Sequence, residues 1–298
     1  MSAPLPRGTL TNEAKSLALI TEAVERYKPR AVVALFSGGD DSLTATTIAS
    51  KHPAFTTAAH MNTGIGVGET RQFVRDTCNR MGWPLREMRA KEDAGMDYEA
   101  LVMERGFPGR GHHQKMYDRL KERPLRILIK ELKRKHRDKI MLVTGVRSTE
   151  SVRRMGHVDP IQVEGVKLWV APIHDWDKPD CLSYLEKERM PRNPVSVEMH
   201  MSGECLCGAF AHENELEEWR FFRPEVAERI DALQERVRLH GRRAAKARCF
   251  WGRSTVELPL LGLPAEPGGS NGRKGPKRPV RMMCHGCDQR DLFAKVNP

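Results

Sequence analysis

No stretch of this 298-residue sequence approaches the ~18 apolar residues that a membrane-crossing helix needs. The opening Met1-Ser2-Ala3-Pro4-Leu5-Pro6-Arg7 lacks the apolar core of a secretory signal. Both absences set the expectation of a cytoplasmic protein with no membrane partner. There is no internal repeat. The pattern Gly-x-x-x-x-Gly-Lys-Ser/Thr is missing as well, which excludes the P-loop of kinases and GTPases. Cysteine is sparse, with seven residues. Four of them form two close pairs, Cys205/Cys207 and Cys284/Cys287, a pattern that favours metal ligation or redox chemistry over a disulfide framework.

With 39% hydrophobic residues the chain can bury one sizeable core and still spare a smaller appendage. The expected division is a nucleotide-binding domain over 1–200 and a helical, cysteine-bearing extension with a basic linker over 201–298. The formal charge of +11 is unevenly spread. From Lys115 to Lys139 there are eleven Lys or Arg against four Asp or Glu, and a second basic stretch runs from Arg242 to Arg281. Each stretch reads either as a solvated helix face or as a track for a polyanion.

The first half alternates strand and helix as a doubly wound parallel sheet does. Ala31–Phe36 and Ala54–His60 read as the first two strands, followed by a helix over 68–81. Pro84–Met88, Ile140–Thr144 and Val166–Pro172 read as later strands. The segment 114–135 has helical spacing, with Pro124 starting a new helix or kinking this one. A further amphipathic helix over 213–239 should break near Pro224. Ligands of such sheets sit at the carboxyl ends of the strands. The loops after Phe36, His60 and Thr144 should therefore converge.

Ser37-Gly38-Gly39-Asp40-Asp41-Ser42 follows the first strand directly and precedes the apolar helix start at Leu43. The glycines let the backbone turn and approach a ligand, and the helix N-terminus suits phosphate oxygens. Ser37 and Ser42 add hydroxyl donors, and Asp41 can hold a divalent cation. The bland alternative is a capped strand-to-helix turn. Asp40 adds a negative charge that only a metal ion or a nearby Arg can offset. Past the second strand come His60-Met61-Asn62-Thr63-Gly64 and Gly68-Glu69-Thr70. Past the fourth comes Gly145-Val146-Arg147-Ser148-Thr149-Glu150-Ser151-Val152-Arg153-Arg154, whose arginines can supply bidentate anion donors.

The loop at Ser37 resembles the PP-loop, Ser-Gly-Gly-x-Asp-Ser, of the adenine nucleotide α-hydrolase superfamily. The runs at His60 and Gly145 resemble segments of the phosphoadenosine phosphosulfate (PAPS) reductase family, with Asn62 where Asp is frequent. Pro172-Ile173-His174-Asp175-Trp176-Asp177-Lys178-Pro179-Asp180, Tyr184 and Pro191-Arg192-Asn193-Pro194 resemble another, and Trp176 and Tyr184 themselves read as core packing. The resemblance runs through four motifs in order over about residues 30–210.

It implies a Rossmann-like fold that binds ATP with Mg2+, or an adenylyl nucleotide, and attack of a substrate oxygen on the α-phosphate. It implies catalytic roles for Asp41, Ser42 and Arg147. Nucleotide contacts are implied for Ser37, Gly38, Gly39, Asp40, Asp41, Ser42, His60, Asn62, Thr63, Gly145, Arg147, Arg153 and Arg154.

Cys205, Cys207, Cys284 and Cys287 can clamp two segments round one metal centre, with Cys249 as an alternative ligand. The family resemblance implies a 4Fe-4S cluster, and structural Zn2+ is the alternative. Cys78 and Cys181 read as core residues. A reductase of this family uses a cysteine in a Glu-Cys-Gly-type C-terminal tail, and this sequence closes on Asp291–Pro298 without one. The favoured reading is therefore a PP-loop enzyme that activates its substrate by adenylylation for sulfur transfer to nucleic acid, DNA or tRNA, with a possible sulfur-donor protein as partner. The alternatives are reduction of PAPS or adenylyl sulfate, sulfate activation, and a non-catalytic nucleic-acid-binding protein with a zinc clip.

Overall fold

Ala31-Val32-Val33-Ala34 is buried on both faces, as a strand must be when helices cover both sides of its sheet. The computed structural model describes residues 11–148 and 159–252. Its sheet contains β1 (Ala31–Leu35), β2 (Phe55–Asn62), β3 (Leu85–Arg89), β4 (Ile140–Val143), β5 (Ile161–Glu164) and β6 (Lys167–Val170). The order is β3-β2-β1-β4-β6-β5, parallel throughout except for the β5–β6 hairpin. Gly165, with φ of +58°, makes the hairpin turn.

Helices α1 (Asn12–Tyr27), α2 (Asp40–Ser50), α3 (Gly68–Met81), α4 (Tyr98–Arg105), α5 (His113–Tyr117) and α6 (Arg123–Leu132) interleave with the strands. After β6 follow α7 (Lys178–Lys187), α8 (Pro194–Met199), α9 (Glu215–Phe222), α10 (Pro224–His240) and α11 (Arg243–Lys246).

The period of two in β1 divides the core. Ala31 and Val33 join Leu125, Leu128, Leu142 and Trp169 on one face. Val32 and Ala34 join Ile20, Ala45, Ile48, Met141 and Tyr184 on the other. Trp176 and Tyr184 stack edge to face there, their centroids 5.4 Å apart, in the packing role expected of them. Cys181 lies in the same layer, and Cys78 packs beside Phe36, Leu43 and Trp83. Burial pushes the Cys78 thiol up to about 12, so it is an unreactive core thiol. A further cluster draws Tyr98, Val102, Phe107 and Leu120 together with Leu206, Trp219, Leu233 and Trp251. Apolar packing therefore runs across the expected boundary at residue 200.

Proline places two helix boundaries as expected: Pro124 stands in the first turn of α6 and Pro224 in that of α10. The segment expected as a helix over 114–135 has a π-helical turn, Asp118–Glu122, between α5 and α6. Strand β2 runs two residues beyond the expected end at His60. Its pairing with β3 continues through His60↔Glu87 to Asn62↔Arg89. Asn62 Nδ2 donates to Glu87 Oε1 at 2.7 Å, and Arg75 grips Glu87 through two bonds of 2.8 Å. The Arg75 guanidinium pulls the Glu87 carboxyl down to about 2, against a burial effect in the opposite direction.

Reversal of strand order from β1 toward β2 to β1 toward β4 makes the β1/β4 boundary the topological switch point. Gly145, just past β4, presses on the start of α2. A Cβ on it would lie 2.5 to 2.6 Å from the backbone of Asp41 and Ser42. Gly145→Ala should therefore destabilise the fold by about 1–3 kcal/mol, the usual cost of overpacking, read as a lower urea midpoint. A second expectation follows from Glu87. A depressed carboxyl contributes stability that is present above its unfolded value near 4.5 and is lost as pH falls through about 2. Glu87→Gln should cost roughly 1 kcal/mol near neutral pH, discounted for the exposure of Arg75. The difference from the parent in unfolding free energy should vanish by about pH 2.

Candidate functional site

The loop after β1 is held from several sides. Gly38 adopts φ of +87°, where a side chain would be strained and its Cβ would meet Thr70 at 2.7 Å. Asn193 Nδ2 donates to the Gly38 carbonyl at 3.0 Å and lies 3.1 Å from Thr70 Oγ1. The Ser37 N–H donates to Ser42 Oγ at 3.2 Å, and that hydroxyl donates to the Gly39 carbonyl at 2.8 Å. Gly39 caps α2 without a side chain, which leaves the anion-receptive first turn to a ligand.

Asp40 and Asp41 open α2 and are buried. Arg192 forks onto Asp40 with Nε–Oδ1 of 3.1 Å and Nη2–Oδ2 of 2.9 Å. Lys178 Nζ bridges Asp40 Oδ2 and Asp41 Oδ1, each at 3.1 Å. Arg147 Nη2 lies 3.1 Å from Asp41 Oδ2. Burial alone would raise the Asp40 carboxyl; the Arg192 fork and Lys178 outweigh it and hold the group below its ordinary value. Among the described residues, the two carboxylates thus face three cations, Arg147, Lys178 and Arg192. The offset that Asp40 requires comes from Arg192 and Lys178.

These cations bear on the expected metal role of Asp41. Both of its oxygens face protein cations, so in this arrangement it does not fit a resident magnesium ligand. Exposure separates the three cations. The Arg147 side chain is 1% exposed, whereas those of Lys178 and Arg192 are 19% and 37% exposed.

His60, Asn62 and Thr63 have internal partners. His60 Nδ1 lies 2.8 Å from the Phe36 carbonyl and Nε2 lies 3.0 Å from Glu204 Oε2. Burial would lower the imidazole; the Glu204 carboxylate and the Phe36 carbonyl outweigh it and raise the group above its ordinary value. The Thr63 N–H and hydroxyl donate to Glu204 Oε1 and O at 2.8 and 2.7 Å. Asn62 Oδ1 accepts from the Gly64 N–H at 2.9 Å. These side chains shape the loop beneath the pocket.

Glu204 immediately precedes Cys205-Leu206-Cys207. The Trp251 indole donates to the Leu206 carbonyl at 2.7 Å and Tyr98 to the Cys207 carbonyl at 3.1 Å, so the Cys-x-Cys turn is pinned to the core. Cys205, Cys207 and Ser37 line one small cavity of about 50 Å³, with Lys121 and Trp251. Cys249 is buried two residues before Trp251. Soft thiolates suit iron–sulfur or zinc. Among the described residues no group of three or more His, Cys, Asp or Glu is placed to hold a metal. Cys284 and Cys287, like Arg153 and Arg154, lie outside the described residues.

Sequence reasoning missed Glu204, and took Lys178, Arg192 and Asn193 only as parts of motifs. The unpaired charge of Asp40 was the available signal for Lys178 and Arg192. Glu204 had none. No helix among the described residues is long and apolar enough to cross a membrane.

No curated relative matches the chain. Several solved structures are similar to it. A PAPS reductase from Candida auris, in complex with phosphate, is 16% identical with a TM-score of 0.48, over 65% of this chain and 94% of that one. An NMN synthetase from Francisella tularensis is 14% identical with a TM-score of 0.43, over 76% and 96%. A U34-tRNA thiolase from Methanococcus maripaludis, solved with its 4Fe-4S cluster, is 14% identical with a TM-score of 0.38, over 76% and 75%. The model of the phosphoadenosine phosphosulfate reductase domain matches residues 31–200, more than half of the sequence and every element of the sheet, and the chain belongs to that family.

Proposed function

We propose that the chain is a PP-loop enzyme that binds ATP, or an adenylyl nucleotide, and activates a substrate oxygen by its attack on the α-phosphate, with pyrophosphate leaving. The observation that carries this reading is the Ser37–Ser42 loop at the switch point, ringed by Arg147, Lys178 and Arg192. The first turn of α2 would receive phosphate oxygens. Lys178 and Arg192, the more exposed cations, would meet the polyphosphate, while buried Arg147 would keep Asp41 and the helix start in place. Ser37 and Ser42 would add hydroxyl donors. Arg153 and Arg154 would join them from the segment after Arg147.

The acceptor in this reading is nucleic acid, DNA or tRNA, and the activated oxygen is then displaced by sulfur from a donor protein. The cysteines Cys205, Cys207, Cys284 and Cys287, with Cys249 as alternative, would hold a 4Fe-4S cluster or a structural zinc. A bound cluster supplies sulfur ligation or one-electron chemistry, and zinc supplies folding energy alone. The division into a nucleotide-binding domain over 1–200 and an extension over 201–298 belongs to this proposal, as does a cytoplasmic setting. The family match supports a second reading, reduction of PAPS or adenylyl sulfate.

Pyrophosphate release from ATP, measured with and without tRNA or DNA, tests the first reading. ATP turnover with no sulfite from PAPS and thioredoxin is the expected result. Sulfite formation without ATP binding would establish the second. Within the first, Arg192→Lys keeps a cation beside Asp40 but loses the fork, so ATP should bind about tenfold more weakly, roughly 1.4 kcal/mol, with little change in Tm. Arg147→Lys should lower both Tm and turnover, because a buried fork cannot be replaced by a point charge. Calorimetric titration with ATP and thermal melts separate the two.

A further inference from the structure

Basic residues on α9 and α10 are matched by acids. Arg220 pairs with Glu217 and Asp231, Arg223 with Glu69 and Glu198, Arg229 and Arg236 with Glu99, and Arg238 with Glu235. The basic stretch around α5 and α6 differs in this respect. Arg105, Lys115, Arg119, Arg123, Arg126 and Lys130 line one groove of about 590 Å³, with Asp118 as its single acid among the described residues. Arg105 and Arg126 reach Glu104 and Glu122 at 3.4 and 3.6 Å. Lys115, Arg119, Arg123 and Lys130 form no ion pair among the described residues. A merely solvated helix face has no need of a concave shape, and the arginines of α9 and α10 are neutralised by neighbouring acids where these are not.

The groove is connected to the candidate site by one short element. Asp118 and Arg119 of the π-helical turn face the groove, and Lys121 of the same turn lines the small cavity with Ser37 and Cys205. The wider π turn lets neighbouring residues serve different faces, and such turns recur at functional sites. From Lys115 to Lys130 the helical rise spans roughly 22 Å, long enough for several successive phosphates and far more than one nucleotide needs.

We infer that this groove is the track on which the sugar–phosphate backbone of a nucleic acid lies while one of its nucleotides reaches the pocket at Ser37. The inference rests on the proposed acceptor and assigns the residues that would hold it. Lys115, Arg119, Arg123 and Lys130 neutralise phosphates; Lys133, Arg134 and Lys135, in the same basic stretch, lie outside the groove.

Fluorescence anisotropy of the full-length protein with labelled single-stranded and duplex oligonucleotides of RNA and DNA, over a salt series, tests this. With four phosphate contacts, log K should fall with log salt at a slope of about −3 to −4. Arg119→Ala with Arg123→Ala should halve that slope and leave ATP binding unchanged. Arg134→Ala with Lys135→Ala should leave the slope at its parental value. The inference is overturned if no oligonucleotide binds with salt sensitivity, if the groove variant keeps the parental slope, or if polyglutamate or anionic vesicles bind through these residues in preference to nucleic acid. Groove-dependent binding in a protein that never releases pyrophosphate would leave the track standing and remove the ATP reading. ATP turnover with no groove-dependent binding would do the reverse.

Discussion

Two adjacent carboxylates buried at the start of a helix are an arrangement that only a set of fixed cations can sustain. A helix N-terminus favours negative charge by less than about 1 kcal/mol per group, whereas an uncompensated buried charge costs about 3–5 kcal/mol. The helix start therefore depends on Arg147, Lys178 and Arg192. Each comes from a different part of the chain: the loop after β4, the start of α7 and the turn before α8. The ion cluster joins the carboxyl ends of β1 and β4 to the helices beyond β6. It also turns both oxygens of Asp41 toward protein cations.

Glu204 has a comparable role on the other side of the loop. Its carboxylate takes the Thr63 N–H and faces His60, whose other nitrogen faces the carbonyl of Phe36, one residue before Ser37. The backbone of Glu204 crowds Gly66 so closely that a Cβ there would stand 2.5 Å from its carbonyl oxygen. The loop at Ser37, the end of β2 and the Cys205–Cys207 turn are thus fixed against one another through a single buried acid. Any group bound by those thiolates sits on the same rigid body as the loop at Ser37.

Features that depend on local chemistry were legible in the sequence. Strand, paired glycines and helix at 31–50 follow from sterics within twenty residues, and Pro124 and Pro224 mark helix starts because proline forbids an interior position. Convergence of the loops after β1 and β4 also followed, since it depends only on a parallel sheet. β5 is short and half exposed and gains its partner only through the turn at Gly165, so no local pattern marked it as a strand. Lys178, Arg192 and Glu204 gain their meaning from Asp40, Asp41 and His60, more than 130 residues away in sequence, through topology that no local pattern encodes. The basic run 115–139 read as one stretch, yet the helix presents part of it to a groove and leaves Lys133–Lys135 beyond it.

Exposure decides how the site can respond to a polyanion. Arg147 is enclosed and cannot leave Asp41 without opening a buried charge, so it acts as a fixed part of the scaffold. Arg192 and Lys178 are partly open to water, and each can turn from Asp40 toward a phosphate at the modest cost of exchanging one anion for another. Both cations contact Asp40, so when one turns away the other still pairs the buried carboxylate. Under the proposed function, such a site would need no large motion to accept a nucleotide. The same argument explains why an acidic residue is tolerated at position 40: two cations, Lys178 and Arg192, are paired with it.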